Sequence, residues 1–288
     1  METPQRVRPE RGSKKLDIGS KQLDRLSNFN RMDGFLKELT KDEICSLGKI
    51  FNNPTSFGES AEAQAFRIKI DDSFGMAAKI MKNNKRSLRE IGWYYYLMSK
   101  FPNFPNFPLV SRYEICDVCK ISKTYNQKDW RSEVVANNCI VLFSELADGD
   151  LQGIVEVLKT DEDSIASMVS QVLMALLVLE QEGIVHNDLH FGNLLYHDQD
   201  VDLTYLDDQI TIPSKGRVWT LWDFGMMVKN GEDDPGNRGY MPINTFETDW
   251  KMTFLPKLVE KFGRSPFVQR VNEITNTSTS IWNVIIEI

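Results

Sequence analysis

Long apolar runs are scarce in this chain. None opens it, and the longest, Ile165 to Leu179, is broken by Ser167, Ser170 and Gln171. A secretory leader and a membrane span are therefore not expected, and the chain reads as a cytoplasmic protein. Cysteine is limited to Cys45, Cys116, Cys119 and Cys139. Cys116 and Cys119 form one C-x-x-C without the second pair that a zinc ribbon needs. They lie in an alternating segment, where an odd separation sends two thiols to opposite faces. Four reduced thiols without a metal are the expectation. Positive charge is not in excess either: 34 Lys+Arg stand against 41 Asp+Glu, a net charge of −7. A nucleic-acid partner does not follow from that balance. No internal repeat is found, and the composition is not that of a collagen-like or wholly disordered chain.

What is present suffices for a folded core, since 41% of the 288 residues are hydrophobic. Residues 1–35 read as a flexible basic tail, with Arg6, Arg8, Arg11, Lys14 and Lys15 among Pro, Gly and Ser. Ala65 to Ile70 and Gly75 to Met81 predict two strands joined by a turn at Asp71-Asp72-Ser73. Leu88, Ile91, Tyr95 and Met98 recur at helical spacing until Phe101-Pro102. Strand-like runs follow at Leu109 to Ile121 and Cys139 to Phe143, with a polar insertion between them. After the turn signal Asp148-Gly149-Asp150, Ile165, Met168, Val169, Val172, Leu176 and Leu179 trace a long helix ending at Gly183. The thirty-residue spacing from Asn193 to Asp223 leaves room for an extra hairpin around Val201 to Arg217. The order is an α+β one: strands with one helix, a turn, then a mainly helical half.

The chemistry-bearing residues fall in and after His186-Asn187-Asp188-Leu189-His190-Phe191-Gly192-Asn193, and in Asp223-Phe224-Gly225. An Asp, an Asn five residues on, and a second Asp in Asp-Phe-Gly suit phosphoryl transfer, which needs an in-line hydroxyl and neutralised phosphate charge. Asp188 can accept the hydroxyl proton, while Asn193 and Asp223 offer hard oxygens to Mg²⁺, with Mn²⁺ as a substitute.

In these residues the chain resembles the protein-kinase-like superfamily, and the likeness extends to other segments. Gly58-Glu-Ser60-Ala-Glu-Ala63 keeps small residues where the family has a glycine-rich phosphate loop. Ala77-Ala78-Lys79 resembles the strand whose lysine contacts ATP phosphates, and Glu90 is the sole acidic residue between Ile80 and Tyr113 to pair with it. The run from Cys139 to Ala147 resembles the adenine-binding hinge, with Ser144 as gatekeeper, backbone contacts at Glu145 and Ala147, and Asp150 near the ribose. Asp249 resembles the buried brace of the catalytic loop. The resemblance implies a bilobal fold with an N-lobe and hinge over 36–147 and a shortened, mainly helical C-lobe over 148–288. It also implies a protein substrate with a Ser or Thr acceptor.

Three departures qualify the match. Asn187 replaces the arginine that receives an activation-loop phosphate, so phosphate gating is not expected. His190 replaces a lysine, as in aminoglycoside- and choline-type kinases. No Ala-Pro-Glu follows Asp-Phe-Gly, and the short remainder resembles the compact kinases of large DNA viruses, poxvirus-type among them. Two alternatives stay open: a small-molecule kinase and a pseudokinase scaffold.

Overall fold

Period-two alternation at the start of the folded region becomes an antiparallel sheet. In the computed structural model, which describes residues 23–46, 55–59, 63–71, 74–102, 104–120, 135–206, 209–229 and 244–288, two helices come first: α1 (Leu23–Lys37) and α2 (Lys41–Cys45). Thr40 and Glu43 form a reciprocal cap on α2. Strands β1 (Thr55–Glu59), β2 (Ala63–Asp71), β3 (Phe74–Lys82), β4 (Val110–Lys120) and β5 (Val135–Glu145) then make one sheet in the order β1-β2-β3-β5-β4. All its neighbours run antiparallel. Helix α3 (Lys85–Lys100), capped by Asn84, connects β3 to β4.

The pleat sorts the residues of β5 to two faces. Val141 and Phe143 point towards Met32, Leu36 and Ile44 of α1 and α2. Ile140 and Leu142 point the other way, joining Ile91, Tyr94 and Leu97 of α3 in a core that continues into the helical half. Lys79 stands opposite Leu142, so its side chain emerges on the α3 face.

The second half begins with β6 (Gly149–Asp150), α4 (Leu151–Leu158) and α5 (Glu162–Gln181). Asp150 caps α4 by accepting from the Gly153 amide at 2.7 Å, and Asp161 caps α5. Gly183, at φ 65°, takes the left-handed conformation that turns the chain out of α5. Short β7 (Ile184–Val185) leads to the loop 186–193, then β8 (Leu194–Asp198). Strands β9 (Asp202–Tyr205) and β10 (Ile210–Pro213) pair as the extra hairpin, and β11 (Arg217–Leu221) returns beside β8. β12 (Val228–Lys229) pairs with β7. A π-helical stretch, Phe246–Phe254, runs into α6 (Leu255–Phe262), followed by α7 (Pro266–Thr277) and α8 (Ile281–Ile285). The architecture is α+β with antiparallel sheets.

Three expectations change. First, helical structure reaches into the tail: Leu26, Phe29, Met32 and Leu36 recur every three to four residues in α1, and the last two are fully buried. Residues 1–22 lie outside the described residues. Second, the thiols are paired. The two cysteines of the C-x-x-C do not meet each other, but Cys45 bonds Cys116 and Cys119 bonds Cys139. Their partners arrive from α2 and from β5, which spacing within one strand does not reveal; the thiol argument for a reducing compartment falls away. Third, α5 is long and apolar enough to cross a membrane, yet 78% of that span is buried inside the protein as its central core helix.

α1 also delivers a buried cation. The Arg25 guanidinium pairs with Glu145 and donates to the carbonyls of Pro105 and Phe107, both charged side chains being under one-tenth exposed. Burial alone would raise the Glu145 carboxyl, but Arg25 outweighs it and holds the group below the ordinary glutamate value. Replacing Arg25 by Ala strands that carboxylate, and a loss of about 3–5 kcal/mol in denaturant unfolding is expected. Glu145→Gln, which keeps an acceptor for the Leu109 amide, should restore much of it in the double variant.

Candidate functional site

Four segments converge where β3, α3 and the ends of β8 and β11 meet. The register of β8 with β11 places Leu194 opposite Leu221. The Trp222 amide then donates to the Asn193 carbonyl at 2.9 Å, so the loop 186–193 and the turn 223–225 are fixed side by side. Within the loop, the Asn193 side-chain amide donates to the Asp188 carbonyl at 2.9 Å. This orients Asn193 with its Oδ1 free, and no described residue donates to that oxygen or pairs with the Asp188 carboxylate.

From the other side, Lys79 Nζ lies 2.6 Å from Glu90 Oε1 and 3.5 Å from Asp223 Oδ1. Glu90 is on α3, so one ammonium joins sheet, helix and turn. Burial by itself would pull Lys79 down, but the two carboxylates outweigh it and hold the ammonium above the ordinary lysine value. Glu90 moves up: burial lifts it and Asp223 adds repulsion, although Lys79 pulls the other way. Asp223 is lowered, because the Lys79 charge, helped by the Gly225 amide and Arg86, outweighs its burial. These directions agree physically. Arg86 adds a second, more exposed cation beside Asp223. The carboxyl that is pushed up, Glu90, is the more buried of the two.

Asp223 sits at φ 61°, a left-handed conformation unusual outside glycine. Its amide donates to the Tyr94 hydroxyl at 3.2 Å, and that hydroxyl donates to Glu90 Oε1 at 3.1 Å. Next in the turn, a Cβ on Gly225 would fall 3.2 Å from Arg86 Nε and 3.5 Å from Glu90 Oε2. A side chain there would require the exposed Arg86 to shift by a few tenths of an ångström.

The loop itself is braced from below. Asp249 Oδ2 accepts from the His186 amide at 2.6 Å and Oδ1 from the Asn187 amide at 2.7 Å. The His186 ring is fully buried, with Nε2 on the Trp222 carbonyl at 2.9 Å, so Nε2 carries the proton. Burial lowers its pKa and keeps it neutral, and it packs edge-on to Phe224. His190 caps the turn 191–193, its Nδ1 accepting from the Gly192 amide at 3.1 Å.

The structure thus brings together Lys79, Glu90, Asp188, Asn193 and Asp223. The remaining candidates are placed differently. Gly58 lies on β1 opposite Ala65, and Ala63 on β2 opposite Met81; Ser60, at the middle of the proposed loop, lies outside the described residues. Glu145 turns its side chain away to Arg25, and its amide is taken by the Leu109 carbonyl at 3.0 Å. Its carbonyl already accepts from Ser144 Oγ at 3.1 Å. Ala147 has no backbone partner among the described residues. Asp150 is occupied as the cap of α4. Sequence reasoning missed Tyr94, although it follows Glu90 by one helical turn on the same face. It also missed His197, which faces Glu145 at 3.6 Å.

No protein-family description matches the chain. It is 29% identical over 87 residues to the mitogen-activated protein kinase p38b of Drosophila melanogaster, covering 29% of this chain and 24% of that kinase. The chain therefore spans about a quarter of the length of the curated relative it matches. The likeness is a partial, protein-kinase-like one, and it lends nothing to the narrower resemblance to viral kinases.

The Asp249 brace gives an expected stability order. Asp249→Ala strands two buried amides and should cost about 2–4 kcal/mol, while Asp249→Asn keeps one acceptor and should cost less. Denaturant midpoints of the two variants against the wild type check this, and equal midpoints for all three would refute it.

Proposed function

We propose that this chain is an ATP-dependent kinase for serine and threonine hydroxyls of proteins. In this reading its plan is bilobal: 36–147 form the smaller lobe with its hinge and 148–288 the larger. The observation that carries the proposal is the single ammonium of Lys79, held between Glu90 and Asp223 beside a loop whose Asp188 carboxylate has no partner among the described residues. The partial likeness to a protein kinase supports it.

The residues fit a divalent cation. Asn193 Oδ1 and the Asp223 carboxylate are hard oxygen donors, and the Asn193 amide is already turned away to Asp188. Mg²⁺, or Mn²⁺ in its place, would supply neutralisation of phosphate charge there. Lys79 is positioned to hold the α- and β-phosphates, and Glu90 keeps its ammonium aimed. Asp188 accepts the proton of the substrate hydroxyl as its oxygen bonds to the γ-phosphorus and the bond to the ADP oxygen breaks. Ala147, with both backbone groups free, is the better of the two hinge candidates for the adenine edge. The Glu145 carbonyl contributes through its remaining lone pair.

Incubation with Mg-ATP and a protein mixture should label serine and threonine. Asp188→Asn and Lys79→Ala should lose on the order of 100-fold or more in rate, with an unfolding midpoint for Asp188→Asn near that of the wild type. A drop below about tenfold for Asp188→Asn would overturn its role. Transfer only to small alcohols or aminoglycosides would favour the small-molecule reading. Nucleotide binding without transfer would favour the scaffold.

A further inference from the structure

We infer that Tyr94 is a positioning residue of this site, its hydroxyl being the link that holds the Asp223 backbone in register with Glu90 and thereby sets the metal-binding carboxylate. The inference rests on the phosphotransfer reading above and adds a residue which that reading does not use. Tyr94 is fully buried on α3, and its ring packs against Trp222 at 5.1 Å and Phe224 at 4.8 Å between centroids. Those two rings flank Asp223 in sequence. The tyrosine therefore touches the turn on both sides of the carboxylate and meets its amide in the middle.

The direction of the hydrogen bonds follows from chemistry. A backbone amide can only donate, so the hydroxyl oxygen accepts from Asp223. The phenol proton must then go elsewhere, and Glu90 Oε1 is the acceptor at 3.1 Å. The result is a chain from the Asp223 amide through the Tyr94 hydroxyl to the Glu90 carboxylate, whose same oxygen receives Lys79. An apolar side chain at position 94 would fill the space but leave the Asp223 amide unpaired. That amide belongs to a residue in a left-handed conformation, one that persists only where its surroundings over-determine it. The hydroxyl thus does for Asp223 what Asp249 does for the loop: it fixes a backbone so that a side chain points one way.

Tyr94→Phe removes the oxygen and keeps the ring. In hydrogen-exchange mass spectrometry without nucleotide or metal, peptides covering 221–227 should exchange about five- to tenfold faster than in the wild type, while those of α5 and β8 are unchanged. With Mg-ATP, kcat should fall by a similar factor, the half-saturating Mg²⁺ concentration should rise several-fold, and KM for ATP should stay within about twofold. Exchange and metal dependence within about twofold of the wild type would overturn the inference, as would loosening spread evenly over all peptides. A wild-type protein that transfers no phosphate, while its 221–227 segment still loosens selectively in Tyr94→Phe, would fault the phosphotransfer reading and leave the positioning role standing.

Discussion

A cation buried between two carboxylates is the constraint on which the rest of this structure turns. Taking the Lys79 ammonium out of water is unfavourable unless partners compensate it, and here they come from places far apart in sequence: Glu90 on α3 and Asp223 after β11. The pairing therefore requires β3, α3 and the turn 223–225 to be correctly placed at once. Any arrangement that separates one of them leaves a charge stranded inside. That requirement also sustains a local cost, since a non-glycine residue at φ 61° carries about 1–3 kcal/mol of strain. Ion pair, hydroxyl link and stacked rings together offset it.

The same logic recurs one layer down. The loop 186–193 has a left-handed Asn187 at φ 64°, and the carboxylate of Asp249 grips the amides of Asn187 and its neighbour His186. A charged acceptor for two adjacent buried amides is stronger than two neutral bonds. Together with the His186 and His190 rings it braces the loop, so that among the described residues the Asp188 carboxylate and the Asn193 oxygen are left without partners. A site with unpaired acceptors at its mouth and satisfied ones beneath is pre-organised for a ligand that brings donors or positive charge.

Much of this could be read from residue order, because phosphoryl chemistry restricts identity at fixed spacing. Asp188, Asn193 and Asp223 stood out for that reason, the alternation of β2 and β3 and the helical period of α3 were visible as local patterns, and the hairpin of β9 and β10 followed from the thirty-residue spacing of Asn193 and Asp223. What escaped was set by register between distant segments. Arg25 sits in a stretch whose composition resembles a tail, and only the meeting of α1 with the end of β5 gives it Glu145, 120 residues away. The disulfide Cys45–Cys116 closes 71 residues, and no spacing rule within β4 points to α2. Glu145 drew attention for its backbone, through the likeness of 139–147 to a hinge, and nothing local showed that its side chain serves the fold. Tyr94 read as one more aromatic on an apolar face; its hydroxyl acquires meaning only once the Asp223 amide arrives beside it.

Glu145 shows how the two halves of the molecule are tied. Its carboxylate takes Arg25 from α1 and the Leu109 amide from the segment before β4, and it faces His197 of β8 across 3.6 Å. Burial pushes the His197 ring below the ordinary histidine value despite the pull of Glu145, so near neutral pH the imidazole is uncharged and Arg25 alone balances the carboxylate. Acidification adds a proton to a buried ring that the unfolded chain accepts freely below about pH 6.5, which weakens the folded state first through the histidine. The contribution of Glu145 itself, whose folded value is depressed, is lost only lower, as pH falls through that value. Arg25 and the Leu109 amide thus hold Glu145 within the sheet half, and among the described residues only the neutral His197 ring approaches it from the helical half.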